Sequence, residues 1–227
     1  MINHEHKLIF IHIPKCAGSS INKFYFENKQ IDWRVPNYEV LYGWCPKRKI
    51  HLQHATTKQL LETELISEEK WDDYFKFTFV RNPWDRMYSS YLWVMQDRNV
   101  KGSFKEYVEK RGVFKNIVNT ARGKTNRGVH LLRQVDFLDL NGKFQVDFIG
   151  QFEKFNEDII RLNKMLQFQN KFNIHEKKNT ARMKHYSLFF TNSNKELVSD
   201  LYSEDATQFR YNFEDKRNGL CYLKRFF

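Results

Sequence analysis

The sequence predicts an α/β fold with a central parallel β-sheet flanked by helices. Two observations predict it. Apolar runs of strand length alternate along the chain with stripes of helical period. Three such strands are interleaved with helices, the connectivity that parallel pairing requires. The length of 227 residues, with no Pro/Gly/Ser-rich linker and no repeat, predicts a single domain spanning 1–227.

Each element has its own signature. Lys7 to Ile13 reads as a buried strand ended by Pro14. Gly18 to Lys29 reads as a helix with Ile21, Phe24, Tyr25 and Asn28 on one side. Tyr74 to Val80 is the second strand. Asn82 and Pro83 then supply an N-cap and a first helical residue, with Asp85 in the first turn. Trp84, Met87, Tyr88, Tyr91, Leu92 and Met95 form that helix's stripe. Ser103 and Glu106 make a capping box that opens a short helix stopping near Gly112. Phe144 to Ile149 is the third strand, closed by Gly150. A helix follows from Asn156 to Phe168, with Ile159, Ile160, Leu162, Met165 and Leu166 as its apolar side. A last helix runs from Asn194 to Phe209.

Composition narrows the classes. Hydrophobic residues make up 41% and charged residues 29%, a globular balance. Lys+Arg 38 against Asp+Glu 27 leaves a net charge of +11, which points to an anionic partner. Nine of the basic residues lie between Asp97 and Arg127, against three acidic ones. Three cysteines, Cys16, Cys45 and Cys221, give no disulfide framework and no paired zinc ligands. No acidic metal cluster is visible, and no apolar run approaches the ~20 residues of a membrane helix. The first residues lack the layout of a signal peptide. A cytoplasmic protein is the expectation.

The sharpest motif is Ile13-Pro-Lys-Cys-Ala-Gly-Ser-Ser20, between the first strand and the first helix. Small residues let backbone approach a ligand, and free N–H groups at the helix start favour an anion. Lys15 adds a point charge, and Ser19 and Ser20 add hydroxyls. The bland alternative is an ordinary strand–helix turn. The motif is not Gly-x-x-x-x-Gly-Lys-Ser/Thr, which weighs against an ATP or GTP loop.

The second segment, Phe79 to Ser89, repeats the layout. Arg81 stands just past the second strand, where ligands bind in open α/β sheets, and its guanidinium can fork onto a phosphate. Ser89 lies two turns into the helix, off its stripe. The competing readings are an Arg81–Asp85 ion pair and a plain helix serine. Two anion sites on one sheet edge suit a ligand with two separate phosphates.

Together, Ile11-His-Ile-Pro-Lys-Cys-Ala-Gly-Ser-Ser20 and Phe79-Val-Arg-Asn-Pro-Trp-Asp-Arg-Met-Tyr-Ser89 resemble the two donor-binding motifs of sulfotransferases. The likeness is to the carbohydrate branch that includes heparan sulfate 2-O-sulfotransferase, in its soluble bacterial type. It implies a P-loop-like three-layer fold and 3′-phosphoadenosine 5′-phosphosulfate (PAPS) as co-substrate, leaving 3′,5′-adenosine bisphosphate (PAP), without a metal. It places the 5′-phosphosulfate on Lys15, Cys16, Ala17, Gly18, Ser19 and Ser20, and the 3′-phosphate on Arg81 and Ser89. Val146 to Phe155 and Tyr202 to Phe213 resemble the family's third strand and C-terminal helix. His175 to Arg182 resembles a late basic loop over the nucleotide, which brings in Thr180 and Arg182. The acceptor implied is a carbohydrate hydroxyl, on a glycan, polysaccharide or glycolipid.

Sulfuryl transfer needs the donor fixed in line, charge stabilised on the leaving phosphate, and the acceptor proton removed. Lys15 fits the second task. The third favours histidine. His4 and His6 fall on a frayed start, and His12 reads as a satisfied wall residue of the first strand. His130, His175 and His185 have no neighbouring constellation in the sequence. The resemblance puts the base in Lys49 to Ala55 and aligns His54 with it, with His51 as the fallback. Glu62 and Glu64 are weaker choices.

The acceptor side is less defined. The basic stretch from Arg98 to Arg127 can funnel an anionic glycan or be a solvated surface. Trp33, Tyr42 and Trp44 can stack on sugar or belong to the core, and Arg133 and Gln134 can face the acceptor. A kinase-like nucleotide enzyme and a basic nucleic-acid-binding module are the alternatives. The missing Gly-Lys-Ser/Thr opposes the first, and the absence of a recognised nucleic-acid motif opposes the second.

Overall fold

The structure is a computed structural model that describes residues 1–26, 32–119, 123–169, 172 and 183–227. In chain order its strands are β1 Ile2–Asn3, β2 Leu8–Ile11, β3 Trp44–Cys45, β4 Ile50–His51, β5 Phe75–Val80, β6 Asp139–Leu140, β7 Lys143–Phe144 and β8 Phe148–Gln151. Its helices are α1 Gly18–Tyr25, α2 Thr57–Glu62, α3 Glu68–Asp73, α4 Pro83–Arg98, α5 Phe104–Val108, α6 Lys115–Val118, α7 Gln134–Leu138, α8 Phe155–Met165, α9 Asn192–Leu201 and α10 Ser203–Gln208. Two compact units divide the chain. One holds Met1–Val80, Arg122–Lys124 and Gln134–Lys177, and the other Arg81–Ala121, Thr125–Arg133 and Lys178–Phe227.

The first unit contains a four-stranded sheet in the order β1-β2-β5-β8. β2 and β5 pair in parallel, as do β5 and β8, so the expected parallel core is present. The sheet is mixed at one edge, because β1 pairs antiparallel with β2. The start of the chain is therefore not frayed. Ile2 is buried, the Met1 amine donates to the Phe10 carbonyl at 2.8 Å, and His4 Nδ1 meets the Tyr74 hydroxyl at 2.8 Å. β2 is buried on both faces, as its unbroken apolar run requires. Phe10 stacks on Phe77 at 5.0 Å, and Tyr25 of α1 meets Phe77 edge-on at 5.6 Å. Each such buried ring contributes roughly 1.5–3 kcal/mol.

Two strands are shorter than their apolar runs, since β2 stops at Ile11 and β5 starts at Phe75. The expected third strand splits. Phe144 belongs to the β6–β7 hairpin, and the main-sheet strand begins only at Phe148. Between them, Asp147 bonds the Lys76 backbone in both directions, with its carboxylate accepting at 2.7 Å and its N–H donating at 2.8 Å. Gly150 lies inside β8 and does not close it. The Phe79 ring sits where a Cβ would be, 2.4 Å away. α1 runs only to Tyr25, and Asn28 and Lys29 lie outside the described residues. α8 starts and ends earlier than its stripe suggested, and Ile160 and Met165 are exposed rather than on its buried side.

The second unit is built around α4. Asn82 caps it, with Pro83 at its first turn, as the sequence dictates. Met87, Tyr88, Tyr91 and Val94 pack with Phe104, Tyr107, Phe114, Phe190 and Val198 in one aromatic-rich core. The Ser103–Glu106 capping box forms as expected and opens α5. The last expected helix is two, α9 and α10, interrupted at Tyr202, whose hydroxyl donates to the Leu131 carbonyl at 2.9 Å. No helix among the described residues is long and apolar enough to cross a membrane.

Candidate active site

The first loop leaves β2 and enters α1, and its backbone is unusual. Lys15 and Ala17 both have positive φ, 71° and 62°, with Cys16 between them outside that region. Alternation of this kind resembles an anion-binding nest, but the Cys16 N–H is turned back to the Ile13 carbonyl at 3.4 Å. Ala17 is the N-cap residue of α1 in left-handed conformation, and no side chain caps the helix. Ser20 N–H donates to the Ala17 carbonyl at 3.0 Å, so within α1 it is the N–H groups of Gly18 and Ser19 that have no intrahelical acceptor. The loop is braced from below by Cys16, which is fully buried and gives its thiol to Gln134 Oε1 at 3.6 Å. Gln134 is thus a support for the loop rather than an acceptor-facing residue. Lys15 is part-buried, Ser19 is exposed, and Ser20 is tucked into the first turn of α1.

His54 belongs to the same unit. It ends a 3₁₀ turn, Leu52–His54, that follows β4. Two residues later Thr56 opens α2 with a full capping box, its partner being Gln59. The turn is fixed on its other side by Gly43, whose N–H donates to Gln53 Oε1 at 2.9 Å. His54 Nδ1 lies 3.0 Å from the carbonyl oxygen of His12. A carbonyl only accepts, so Nδ1 carries the hydrogen and Nε2 keeps its lone pair in the neutral ring. His51 is arranged differently. Its Nε2 is the atom that meets a carbonyl, that of Lys124 at 3.0 Å, and its ring lies 5.1 Å from Trp44.

His12 lies beyond the end of β2 and is not a satisfied wall residue. Its Nδ1 is buried and has no hydrogen-bond partner among the described residues. Its ring stacks on Phe10, and its centroid is 4.4 Å from that of His54. A Cβ on Gly18 would fall 1.7 Å from its Nε2, 2.2 Å from Cδ2 and 2.3 Å from Cε1. The last two distances are too short for an in-plane approach past Nε2, so it is the face of the ring, not its edge, that lies on the glycine. Burial first, then His54, the N-terminal amine and Lys15, holds His12 well below the usual imidazole range. It is neutral at physiological pH.

Arg81 and Ser89 belong to the second unit. Arg81 follows Val80 directly, is buried, and pairs with Asp85 on the first turn of α4 at 2.7 Å. Ser89 is part-buried on α4. Thr180 and Arg182, with His175, lie outside the described residues. The sequence missed two features here. Arg86 is fully buried, donates to the carbonyls of His130 and Leu132, and faces Asp205 at 3.9 Å. His130 does have a constellation. It meets the Ser90 hydroxyl at 3.1 Å and stacks on Trp93 at 4.6 Å. No local pattern marks either one, because their partners are distant in sequence.

The basic stretch is partly folded into ion pairs. Arg98 and Arg127 both reach Asp97 at 3.1 Å, and Arg127 covers Trp93. Lys101, Lys105, Lys110, Lys115 and Lys124 are exposed. Arg133 pairs with Glu204. Trp33 keeps 40% of its surface exposed, while Tyr42 and Trp44 are part-buried. No group of three metal-ligating side chains occurs among the described residues.

Comparison with known proteins gives the family. The sequence profile of the sulfotransferase family matches residues 1–212. An uncharacterized protein of Archaeoglobus fulgidus is 30% identical over 102 residues, which is 44% of this chain and 74% of that one. The crystal structure of a sulfotransferase from Alicyclobacillus acidocaldarius superimposes with a TM-score of 0.42 at 14% identity, covering 90% of this chain and 98% of that one. With the profile spanning nearly its whole length, the chain belongs to the sulfotransferase family. Sulfuryl transfer is the class of reaction that this membership assigns to it.

Proposed function

We propose that the protein transfers a sulfuryl group from PAPS to a carbohydrate hydroxyl, with His54 as general base. The observation that carries the base assignment is the bond from His54 Nδ1 to the His12 carbonyl. It presents Nε2 as a proton acceptor, whereas His51 spends Nε2 on the Lys124 carbonyl.

The loop from Lys15 to Ser20 suits the 5′-phosphosulfate, because it offers main-chain N–H groups, a helix start and a lysine. Arg81 and Ser89 would hold the 3′-phosphate, and Thr180 and Arg182 would join the nucleotide. The Arg81–Asp85 ion pair orients the guanidinium along α4. PAPS supplies the activated sulfur. As the acceptor oxygen bonds to it, the bond to the 5′-phosphate breaks and PAP leaves. His54 Nε2 takes the acceptor proton, and Lys15 meets the charge gathering on the leaving phosphate. The reading needs no metal. The exposed Trp33 and the five exposed lysines support a carbohydrate acceptor of anionic character.

Thermal unfolding with PAP, AMP and ATP tests the donor half. At 100 times its Kd a ligand adds about 2.7 kcal/mol of stability. A shift specific to PAP and lost in Arg81→Ala is the expected result. No shift, or an equal shift with ATP, overturns it.

A further inference from the structure

His12 contributes more than its carbonyl. Its ring lies face-down on Gly18, at the first residue of α1, and beside the His54 ring. Nδ1 is buried without a partner, while Nε2 lies over Gly18, the first residue of α1, whose N–H and that of Ser19 have no acceptor within the helix. A neutral imidazole carries a single N–H. A buried N–H with nothing to donate to is rarer and costlier than a buried lone pair with nothing to accept. The hydrogen therefore belongs on Nε2. The flat contact with Gly18 leaves the N–H direction, in the plane of the ring, unobstructed by that glycine.

We propose that His12 is a neutral hydrogen-bond donor to the tetrahedral oxyanion held by the first loop, through Nε2–H. The inference rests on the donor reading above and adds a ligand to it. Neutrality matters because of the neighbour. A cationic His12 at 4.4 Å would oppose proton uptake by His54, whereas a neutral N–H stabilises charge on the bound anion without that penalty. Among the described residues, the titratable groups that act on the His12 ring are His54, the N-terminal amine and Lys15. Each of them disfavours a second proton on the His12 ring.

Two measurements test this. The first is calorimetric titration of wild type and His12→Phe with PAP and with adenosine 3′-monophosphate, which lacks the 5′-phosphate. Phenylalanine keeps the stacking on Phe10 and removes the N–H. The expected result is about 10-fold or more weaker PAP binding, the scale of a hydrogen bond to a charged group, with 3′-monophosphate binding unchanged. Equal PAP binding by both proteins overturns the proposal, and so does equal weakening for both ligands, which would mean a structural role. Wild type that fails to bind PAP overturns the donor reading as well. The second is two-bond ¹H–¹⁵N spectroscopy of wild type labelled at histidine. It should show His12 protonated at Nε2 alone on both sides of the usual midpoint of ~6.5, with the Nε2 signal moving when PAP is added. A hydrogen on Nδ1, or a His12 ring that titrates near that midpoint, overturns the proposal even if the variant does not fold.

Discussion

His54 gives its Nδ1–H to the main-chain carbonyl of His12, 3.0 Å away, while the two imidazole rings sit 4.4 Å apart. The bond joins the 3₁₀ turn after β4 to the segment that follows β2. It fixes Nε2 as the basic nitrogen of the neutral His54 ring, and only Ile13 and Pro14 separate His12 from the loop that begins at Lys15.

Replacing His54 with alanine should therefore lower turnover by about 10²–10⁴-fold, the usual contribution of a general base. PAP binding should persist, since the loop from Lys15 to Ser20 is untouched. Single-turnover kinetics with a sugar acceptor, alongside a PAP titration, reads both. Full activity in His54→Ala would move the role to another residue, with His51 the first to examine.

Stability should fall in mild acid through His12. In the unfolded chain its ring takes a proton near ~6.5, whereas the fold resists that proton. Below that pH the unfolded state binds more protons, so this contribution is complete above ~6.5 and declines as pH drops through it. Urea unfolding across this range should show a shallower pH dependence in His12→Phe than in wild type. Matching slopes would contradict the assignment.

Arg86 should matter for folding. Its guanidinium and Asp205 are both fully buried and hold two carbonyls and one another in the second unit. Arg86→Ala leaves the carboxylate without its cation, and removing one partner of such a pair typically costs about 3–5 kcal/mol. Chemical denaturation measures it. A loss below about 1 kcal/mol would mean the site relaxes around water.

Gly18→Ala tests the crowding at the helix start. The new methyl would overlap the His12 ring, which has Phe10 stacked on it and His54 beside it. Overpacking at such a place costs roughly 1–3 kcal/mol. Weaker PAP binding should accompany the loss, because the ring must leave its place over α1. A variant with native stability and native affinity would show that the ring moves aside freely.

The parallel core and both helix starts were legible because local rules decide them. Buried strands read as unbroken apolar runs, and Asn82-Pro83 and Ser103–Glu106 are cap signatures that formed as written. What failed depended on distant partners. The run ending at Ile149 looked like one strand, but Asp147 is drawn off to the Lys76 backbone, and only Phe148 onward pairs with β5. Leu8 to Ile13 gave no hint that Ile2–Asn3 would add an antiparallel edge. Within the site, the Lys15–Ser20 loop was legible from small residues between a strand and a helix. His12 was not, because its setting depends on the His54 ring, supplied 42 residues later.

His12 holds its neighbour with an atom that every amino acid possesses. The carbonyl that orients His54 survives any substitution at position 12, whereas the ring over Gly18 is deleted by almost all of them. The two contributions are therefore genetically separable. A collection of variants at this one position would vary the group proposed to face the anion while keeping the tether of the proposed base constant, an experiment in which donor affinity and proton abstraction can be tuned apart.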